Sequence, residues 1–251
     1  MLNNIETTTE RVLSLFEEVV DSYANESAKS GSESLTKEEI GNNRERIKER
    51  IRHLIRIVFA CSDIEKPKDD LPKGTVIFET DLHGDLTAFL CTLLENGMVK
   101  FNEANPTGII LYDPIEKKEY KLDELENLKK TNKSEFDNLI ERIQILPDIT
   151  PTETYSQYIN CGDFVDRGEQ SEQMAYMIPF LSIRYKGKFN DKPLPKLIVG
   201  NHENFYLVRR YDVAFGNGAD SMFSTNSNTT IFYRINIGLA TDSITNRLRE
   251  M

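Results

Sequence analysis

The sequence predicts an α/β protein whose sheet layers are flanked by helices. From about residue 75 onward, short apolar runs alternate with segments of helical periodicity, which is the pattern of layered α/β folds. Three of these apolar runs end in clusters of Asp, Asn, His and Gly, and ligands of open α/β sheets bind at such carboxyl ends of strands. The same pattern therefore predicts both the fold class and the position of a site.

The composition is that of an ordinary globular chain. Its 251 residues are 39% hydrophobic and 29% charged, enough to bury a large core without a disulfide or a metal. The net charge of −10 repels phosphate backbones and anionic lipids, so we expect neither a nucleic-acid partner nor membrane insertion. The polar start of the chain has no secretion-signal pattern, and we expect a cytoplasmic location. No feature of the sequence indicates an oligomeric state.

The three cysteines, Cys61, Cys91 and Cys161, lie in apolar stretches without paired spacing. This predicts buried, reduced thiols in a reducing compartment. A reactive cysteine is the alternative, although none of the three has a cationic neighbour in the sequence.

Residues 1–70 are predicted to form a helical extension. Two pairs of residues have the spacing of a capping box, and an apolar stripe of helical period follows each: Thr7 with Glu10, and Thr36 with Glu39. A polar stretch at 27–34 separates the two helices. The basic residues of the second helix are interpreted as a solvated face, with a binding patch as the alternative, and His53 as a structural or surface histidine.

Residues 71–251 are predicted to form the core, with residues 100–154 inserted into it. The insertion forms either a lid or specificity element near the site, or a surface decoration. The predicted strands are 75–79, 108–112, 119–122, 157–161, 196–199 and 230–237. The predicted helices are 86–94, capped by Gly97, then 125–143, and one from about Ser171 that Pro179 should bend or end.

Three polar clusters follow the three clearest strands. The clusters are TDLHGD at 80–85, GDFVDRG at 162–168 and GNHE at 200–203. Because ligands bind outside the carboxyl ends of the strands in open α/β sheets, we expect the three clusters to meet although they are far apart in the chain.

The residue types in these clusters suit a divalent metal site. Asp81 and His83, two residues apart in an extended segment, offer an oxygen and a nitrogen ligand, and Asp163 offers a carboxylate that can bridge two cations. Asn201 adds a carbonyl oxygen. Such a mixed set without sulfur suits Mn, Fe or Zn. Arg167 carries a planar fork that matches phosphate oxygens.

Each cluster by itself has a simpler interpretation. The Asp81–His83 segment could be a loop with a capping Asp, Asp163 and Asp166 could be helix caps, and Arg167 could be a surface ion-pair partner. Three such clusters in order, each after an apolar strand, favour the metal site.

The motifs DLHGD, GDFVDRG and GNHE resemble the three signatures of the calcineurin-like metallophosphoesterases. The phosphoprotein phosphatase (PPP) branch is most similar, because its second motif also reads GD-x-VDRG and continues into a helix, as Glu169-Gln170-Ser171 does here. The resemblance covers about Val76 to Phe215 and implies a calcineurin-like core. One departure is Thr80, where the family usually has Gly.

The resemblance implies a centre of two divalent metal ions, with Mn expected and Fe or Zn as alternatives. Asp81, His83 and Asp163 resemble the ligands of the first ion. Asp163 would bridge to the second ion, which Asn201 would also bind.

The resemblance also implies catalytic roles. His202 resembles the general acid that protonates the leaving oxygen, Asp166 the carboxylate that orients it, and Arg167 the clamp on the substrate phosphate. The implied reaction is in-line attack on phosphorus by a metal-activated hydroxide.

The family completes its second metal site with two downstream histidines that this sequence lacks. Its only histidines are His53, His83 and His202. Three explanations are open: the sequence ends before the C-terminal part of the core, the site is degenerate and holds one metal, or Asp220 or Asp242 substitutes as a ligand.

The resemblance as a whole implies a metal-dependent phosphatase of phosphoprotein substrates, acting on Ser/Thr or Tyr, or a fragment of one. A dinucleoside polyphosphate hydrolase or other small-molecule phosphoesterase is one alternative, and a non-catalytic pseudophosphatase is another. The helical extension and the long insertion resemble the Wip-type effector phosphatases that intracellular bacteria inject into host cells, which implies delivery into a host cell.

Overall fold

The computed structural model describes residues 2–26, 36–64, 72, 74–153, 157–165, 167–188, 195–198 and 200 of the chain. The helices are α1 (Leu2–Glu26), α2 (Lys37–Ser62), α3 (Leu86–Glu95), α4 (Leu122–Thr131), α5 (Lys133–Ile140) and α6 (Ser171–Lys188). The strands are β1 (Val76–Glu79), β2 (Val99–Phe101), β3 (Ile109–Asp113), β4 (Lys118–Tyr120), β5 (Gln144–Pro147), β6 (Ile149–Pro151), β7 (Gln157–Asn160) and β8 (Lys196–Leu197). The predicted α/β class is confirmed.

The chain divides into two compact units. The first unit combines Met1–Ser62 with Phe101–Asp148, and the second combines Asp63–Lys100 with Ile149–Met251. The N-terminal helices and most of the inserted segment therefore belong to one unit, while the strands that precede the three motifs belong to the other.

In the first unit, α1 and α2 pack against each other through the apolar stripes that the sequence predicted. Buried members of the stripes are Val12, Leu15, Phe16, Val19, Val20, Ile47, Ile51, Leu54, Ile55 and Val58. The second capping pair is placed correctly, since α2 begins directly after Thr36, whose carbonyl accepts from Ile40 N. The first is wrong, because α1 begins upstream at Leu2 and Thr7 lies inside it. His53 is exposed, as predicted.

The inserted segment forms a three-stranded antiparallel sheet in the order β4-β3-β5, with α4 and α5 between β4 and β5 in the chain. The predicted hairpin is confirmed, but the single predicted helix 125–143 is two helices. Asn132 separates them with a non-helical backbone, and its side-chain oxygen accepts from Glu135 N at 3.3 Å, so it caps α5.

The turn between β3 and β4 is fixed by a buried carboxylate. Asp113 has no exposed surface, and its Oδ1 accepts from the backbone nitrogens of Ile115 and Glu116. Its Oδ2 accepts from Arg142 Nε at 3.0 Å and Nη2 at 2.8 Å. These hydrogen bonds raise the pKa of the Arg142 guanidinium, which therefore stays charged.

The second unit is built on a parallel sheet in the order β1-β7-β8. Val76 pairs with Gln157 and Glu79 with Asn160, so β1 and β7 end at the same level. Helix α3 covers this sheet through Phe89, whose ring meets Tyr158 edge-on at 5.5 Å. Strands β2 and β6 form a separate two-stranded sheet.

Helix α6 also belongs to this unit and runs on through Pro179 to Lys188. The expectation that Pro179 could end the helix is therefore wrong. Buried residues flank it on both sides, including Met177, Ile178, Phe180 and Leu181, and their packing holds the helix together across the missing N–H.

The prediction that the cysteines are buried is confirmed for Cys61 only. Cys91 is half-buried, and Cys161 is exposed just after β7.

Of the helices in the described residues, none combines the length and the apolar character needed to span a membrane.

Candidate metal centre

The first two motifs lie side by side because β1 and β7 are adjacent parallel strands. Past their ends the two loops stay joined by backbone hydrogen bonds. Asp81 N donates to Gly162 O at 3.2 Å, His83 N to Asp163 O at 2.8 Å, and Gly84 N to Phe164 O at 3.0 Å. The sheet register is thus carried into the loops that bear the predicted ligands.

Three predicted ligands converge at this point. One ligand atom each of Asp81, His83 and Asp163 lies within 4.8 Å of the other two. The His83 side chain is 20% exposed and that of Asp81 62% exposed, and His83 Nε2 lies 3.9 Å from Asp81 Oδ1. The cluster therefore opens to solvent on the Asp81 side, as a site that admits a substrate requires.

The backbone at these ligands is in an uncommon conformation. Asp81, His83 and Asp163 have φ values of 56°, 46° and 53°, and Arg167 has 65°. In the described part of the chain only one other non-glycine residue, Lys117 in the β3–β4 turn, has a positive φ. Left-handed backbone at non-glycine residues costs energy and gathers at functional sites, and here it gathers on the residues that the motifs singled out.

Gly84 of the first motif and Gly168 of the second lie in contact where the two motif loops meet. Gly168 N donates to His83 O at 2.7 Å, and a Cβ at Gly168 would lie 2.7 Å from the backbone carbon of Gly84. Ser171, at the start of α6, donates its hydroxyl to Gly168 O at 2.9 Å. The end of the second motif is therefore locked between the first motif and α6.

Arg167 lies on the same loop as Asp163, and its side chain is exposed. It follows Asp163 by four residues in the chain. Asp166, Asn201 and His202 lie outside the described residues, so their places in the site stay predictions.

The start of the third motif is described as far as Gly200. Ile198 N donates to Asn160 O at 2.8 Å, and a Cβ at Gly162 would lie 2.7 Å from Gly200 Cα. The third motif therefore begins against the second, at the sheet edge where the first two already meet.

A polar network beneath the ligand loops was not predicted. Tyr158 OH donates to Glu79 Oε2 at 2.6 Å, and Thr92 Oγ1 donates to Glu79 Oε1 at 2.6 Å. Burial raises the pKa of Tyr158 strongly, and the hydrogen bond to Glu79 raises it further. The sequence alone shows a Glu at the end of the predicted strand β1. Its partners, Tyr158 on β7 and Thr92 on α3, can be identified only from the structure.

The donor set fits a divalent metal. Two carboxylates and one imidazole converge without a thiolate, and this combination suits Mn, Fe or Zn. Thr80 Oγ1 also donates to Asp81 Oδ2 at 2.8 Å, so one of the ligand carboxylates is oriented by a neighbour, as metal-binding carboxylates usually are.

Parallel strand ends that bring two Asp and one His together define a metalloprotein with an open, substrate-accessible centre. The chain belongs to the Calcineurin-like phosphoesterase family, which matches residues 74–243, more than half of the sequence. No curated protein and no solved structure matches the chain.

The family shows the activity at the level of reaction type. The chain is a hydrolase for metal-dependent cleavage of phosphoesters, and divalent metal ions are its cofactors. The matched residues include both described motif loops and all four strands and helices that position them: β1, β7, α3 and α6.

Proposed function

We propose that this chain is a protein phosphatase of the PPP type, which hydrolyses phosphomonoesters on Ser/Thr or Tyr side chains of a phosphoprotein. The observation that carries the proposal is the convergence of Asp81, His83 and Asp163 at two parallel strand ends, with Arg167 exposed on the second loop. The GD-x-VDRG form of the second motif and its direct continuation into α6 support the PPP branch within the family.

In this proposal Asp81, His83 and Asp163 would hold the first ion, and Asp163 and Asn201 would hold the second. Two divalent ions, Mn in the first place with Fe or Zn as alternatives, would lower the pKa of water and so supply hydroxide near neutral pH. The chain's own contribution is the fixed geometry of the loops. Their hydrogen bonds to each other and the left-handed ligand backbones support such preorganisation.

Three residues act on the substrate: Arg167 binds it, and His202 protonates it with the help of Asp166. The exposed guanidinium of Arg167 receives two phosphate oxygens in a bidentate contact. His202 gives its proton to the leaving oxygen of the substrate side chain, and Asp166 orients the imidazole for this transfer.

The finer proposal is a Wip-type effector that acts on phosphoproteins inside a host cell. The joining of the N-terminal helices and the inserted segment in one compact unit supports it, because both additions are features of that architecture. This unit is then the part of the protein available to select a protein substrate.

The test is a phosphatase assay of the full chain with Mn²⁺ on phosphoserine, phosphothreonine and phosphotyrosine peptides and on a dinucleoside polyphosphate. Asp81→Asn should lower kcat/KM on the preferred peptide more than about 100-fold, because it weakens a ligand of the hydroxide-generating ion. Asp63→Asn, at an exposed position just after α2 in the second unit, is the matched control and should leave activity unchanged.

Equal activity of the wild type and Asp81→Asn would eliminate the site. A higher kcat/KM on the dinucleoside polyphosphate than on every peptide would instead assign a small-molecule phosphoesterase. Elemental analysis separates the third possibility: two metal ions per chain support catalysis, whereas one or none with no turnover supports a pseudophosphatase.

A further inference from the structure

Asn160 ends β7 directly below the second ligand loop. It pairs with Glu79, the last residue of β1, and its side chain is completely buried. The same inward face of β7 carries Tyr158, which packs on the Phe89 ring. Burying an amide in such surroundings is costly unless it is hydrogen-bonded.

The side chain of Asn160 hydrogen-bonds the backbone two residues on. Its Oδ1 accepts from Gly162 N at 2.9 Å, which makes an Asx-turn at the point where the strand becomes the motif loop. Gly162 has a φ of 112°, a conformation that side-chain-bearing residues rarely adopt. The Asn160 amide therefore holds the residue whose backbone conformation directs Asp163.

The turn reaches the first loop as well. Gly162 O accepts from Asp81 N at 3.2 Å, so the residue that Asn160 holds also holds the backbone of Asp81. Asp163 follows Gly162 directly in the chain, and Asp81 is hydrogen-bonded to Gly162. The side chain of Asn160 therefore fixes the residue that is linked to both carboxylate ligands of the described cluster.

We propose that Asn160 is a positioning residue of the metal centre: its side-chain oxygen fixes the Gly162 turn so that Asp81 and Asp163 meet around a cation. The proposal rests on the metal-ligand assignment of the proposed function and is independent of the substrate. Groups that orient metal ligands typically change metal affinity by 10–100-fold when removed.

The test is Mn²⁺ binding to the full chain, measured by calorimetric titration and by the electron paramagnetic resonance spectrum of the bound ion. Asn160→Leu keeps the branching and the number of side-chain heavy atoms but removes the acceptor, and it should lower Mn²⁺ affinity roughly 10–100-fold and broaden the spectrum. Asn160→Asp keeps the acceptor and should bind within about threefold of the wild type.

Thr152→Val is the matched control. It removes the hydrogen bonds from Thr152 Oγ1 to the backbone oxygens of Gly97 and Met98, which involve neither ligand loop. It should lower Tm while leaving Mn²⁺ affinity unchanged, which separates positioning from general stability. Wild-type affinity in a folded Asn160→Leu overturns the role of Asn160, as does an equal affinity loss in Thr152→Val.

Asn160→Ser is the second variant if Asn160→Leu does not fold. A serine hydroxyl makes the same turn more weakly, so an affinity between those of the wild type and a ligand variant is expected, and wild-type affinity overturns the proposal. If the wild type itself binds no Mn²⁺, the metal assignment fails and this proposal with it. A wild type that binds Mn²⁺ without dephosphorylating any peptide refutes only the proposed substrate.

Discussion

Gly168 and His83 meet backbone to backbone. Gly168 N donates to His83 O at 2.7 Å, and a Cβ built on Gly168 would lie 2.3 Å from that same oxygen. The atoms in the way belong to the main chain of the first motif, which cannot turn aside as a flexible side chain could. The contact between the two motif loops therefore depends on the absence of a side chain at position 168.

Gly168→Ala should destabilise the protein and disturb the metal centre together. The added methyl group must push His83 and Gly84 aside, and overpacking of this kind costs about 1–3 kcal/mol. Urea denaturation should show the loss of stability, and Mn²⁺ titration should show weaker binding. Gly41→Ala, on α2 with no atom within 4 Å of the new Cβ, is the control and should stabilise by about 0.5–1 kcal/mol. Unchanged Mn²⁺ binding in Gly168→Ala contradicts the tight contact.

Thr80→Val should weaken metal binding without affecting the fold. The hydroxyl of Thr80 donates to Asp81 Oδ2, and valine keeps the shape but not the donor. Because both residues are exposed, we expect a loss at the lower end of such effects, about 3–10-fold in Mn²⁺ affinity by calorimetric titration. Thr80→Ser should restore it. Thr131→Val at the end of α4 is the matched control, and a Thr80→Val affinity equal to that of the control would argue against orientation of Asp81 by Thr80.

Much of the sheet that carries the site could be predicted from local sequence. Strands β1 and β7 are apolar runs that end in polar clusters, and the ligand types Asp81, His83 and Asp163 follow them directly. Strands β2, β5 and β6 were missed because their pairing is decided at long range; Ile109 pairs with Pro147, for example. Their short lengths leave no alternation to detect in the sequence alone.

The support of the site could not be predicted for the same reason. The hydrogen bond between Tyr158 and Glu79 joins residues 79 positions apart, and only the parallel register of β1 and β7 brings them together. Likewise, the hydrogen bond from Gly162 N to Asn160 Oδ1 is local. It affects Asp81 only because β1 and β7 are adjacent, so that Asp81 N can donate to Gly162 O. The sequence motifs therefore predict the metal ligands, whereas the residues that support the ligand loops can be identified only from the register of β1 and β7.

Arg11 on α1 should be coupled energetically to Glu126 on α4. Its guanidinium makes a two-pronged contact with this carboxylate, at 2.7 Å and 3.0 Å, and also pairs with Asp123. Both the Arg11 and the Glu126 side chains are 31% exposed, so solvent screens part of the attraction. A double-mutant cycle of Arg11→Ala and Glu126→Ala should give a coupling of about 0.5–1 kcal/mol by urea denaturation.

The control for this cycle is a pair within a single helix. Lys48 and Glu45 on α2 make a one-point contact at 3.2 Å, and the Glu45 side chain is 61% exposed. Its coupling should be no more than about 0.3 kcal/mol. Equal coupling in the two cycles contradicts a specific contact between α1 and α4.

Tyr185 should make the stability of the protein fall at alkaline pH. The ring on α6 is 2% exposed, its hydroxyl donates to Met98 O at 3.3 Å, and burial raises its pKa to about 12. The ordinary tyrosine pKa in the unfolded chain is about 10, so the folded state keeps the proton to higher pH. The stabilisation is therefore complete below about pH 10 and is lost as the pH rises toward about 12, by on the order of 2–3 kcal/mol.

Urea denaturation of the wild type and of Tyr185→Phe across this pH range measures the loss of stability, because phenylalanine cannot ionise. At neutral pH the variant should lose only about 1 kcal/mol with the hydrogen bond to Met98, so the two stability curves should converge above about pH 10 and cross before about pH 12. Parallel curves from pH 8 to pH 12 would show that the hydroxyl of Tyr185 reaches solvent in the folded protein.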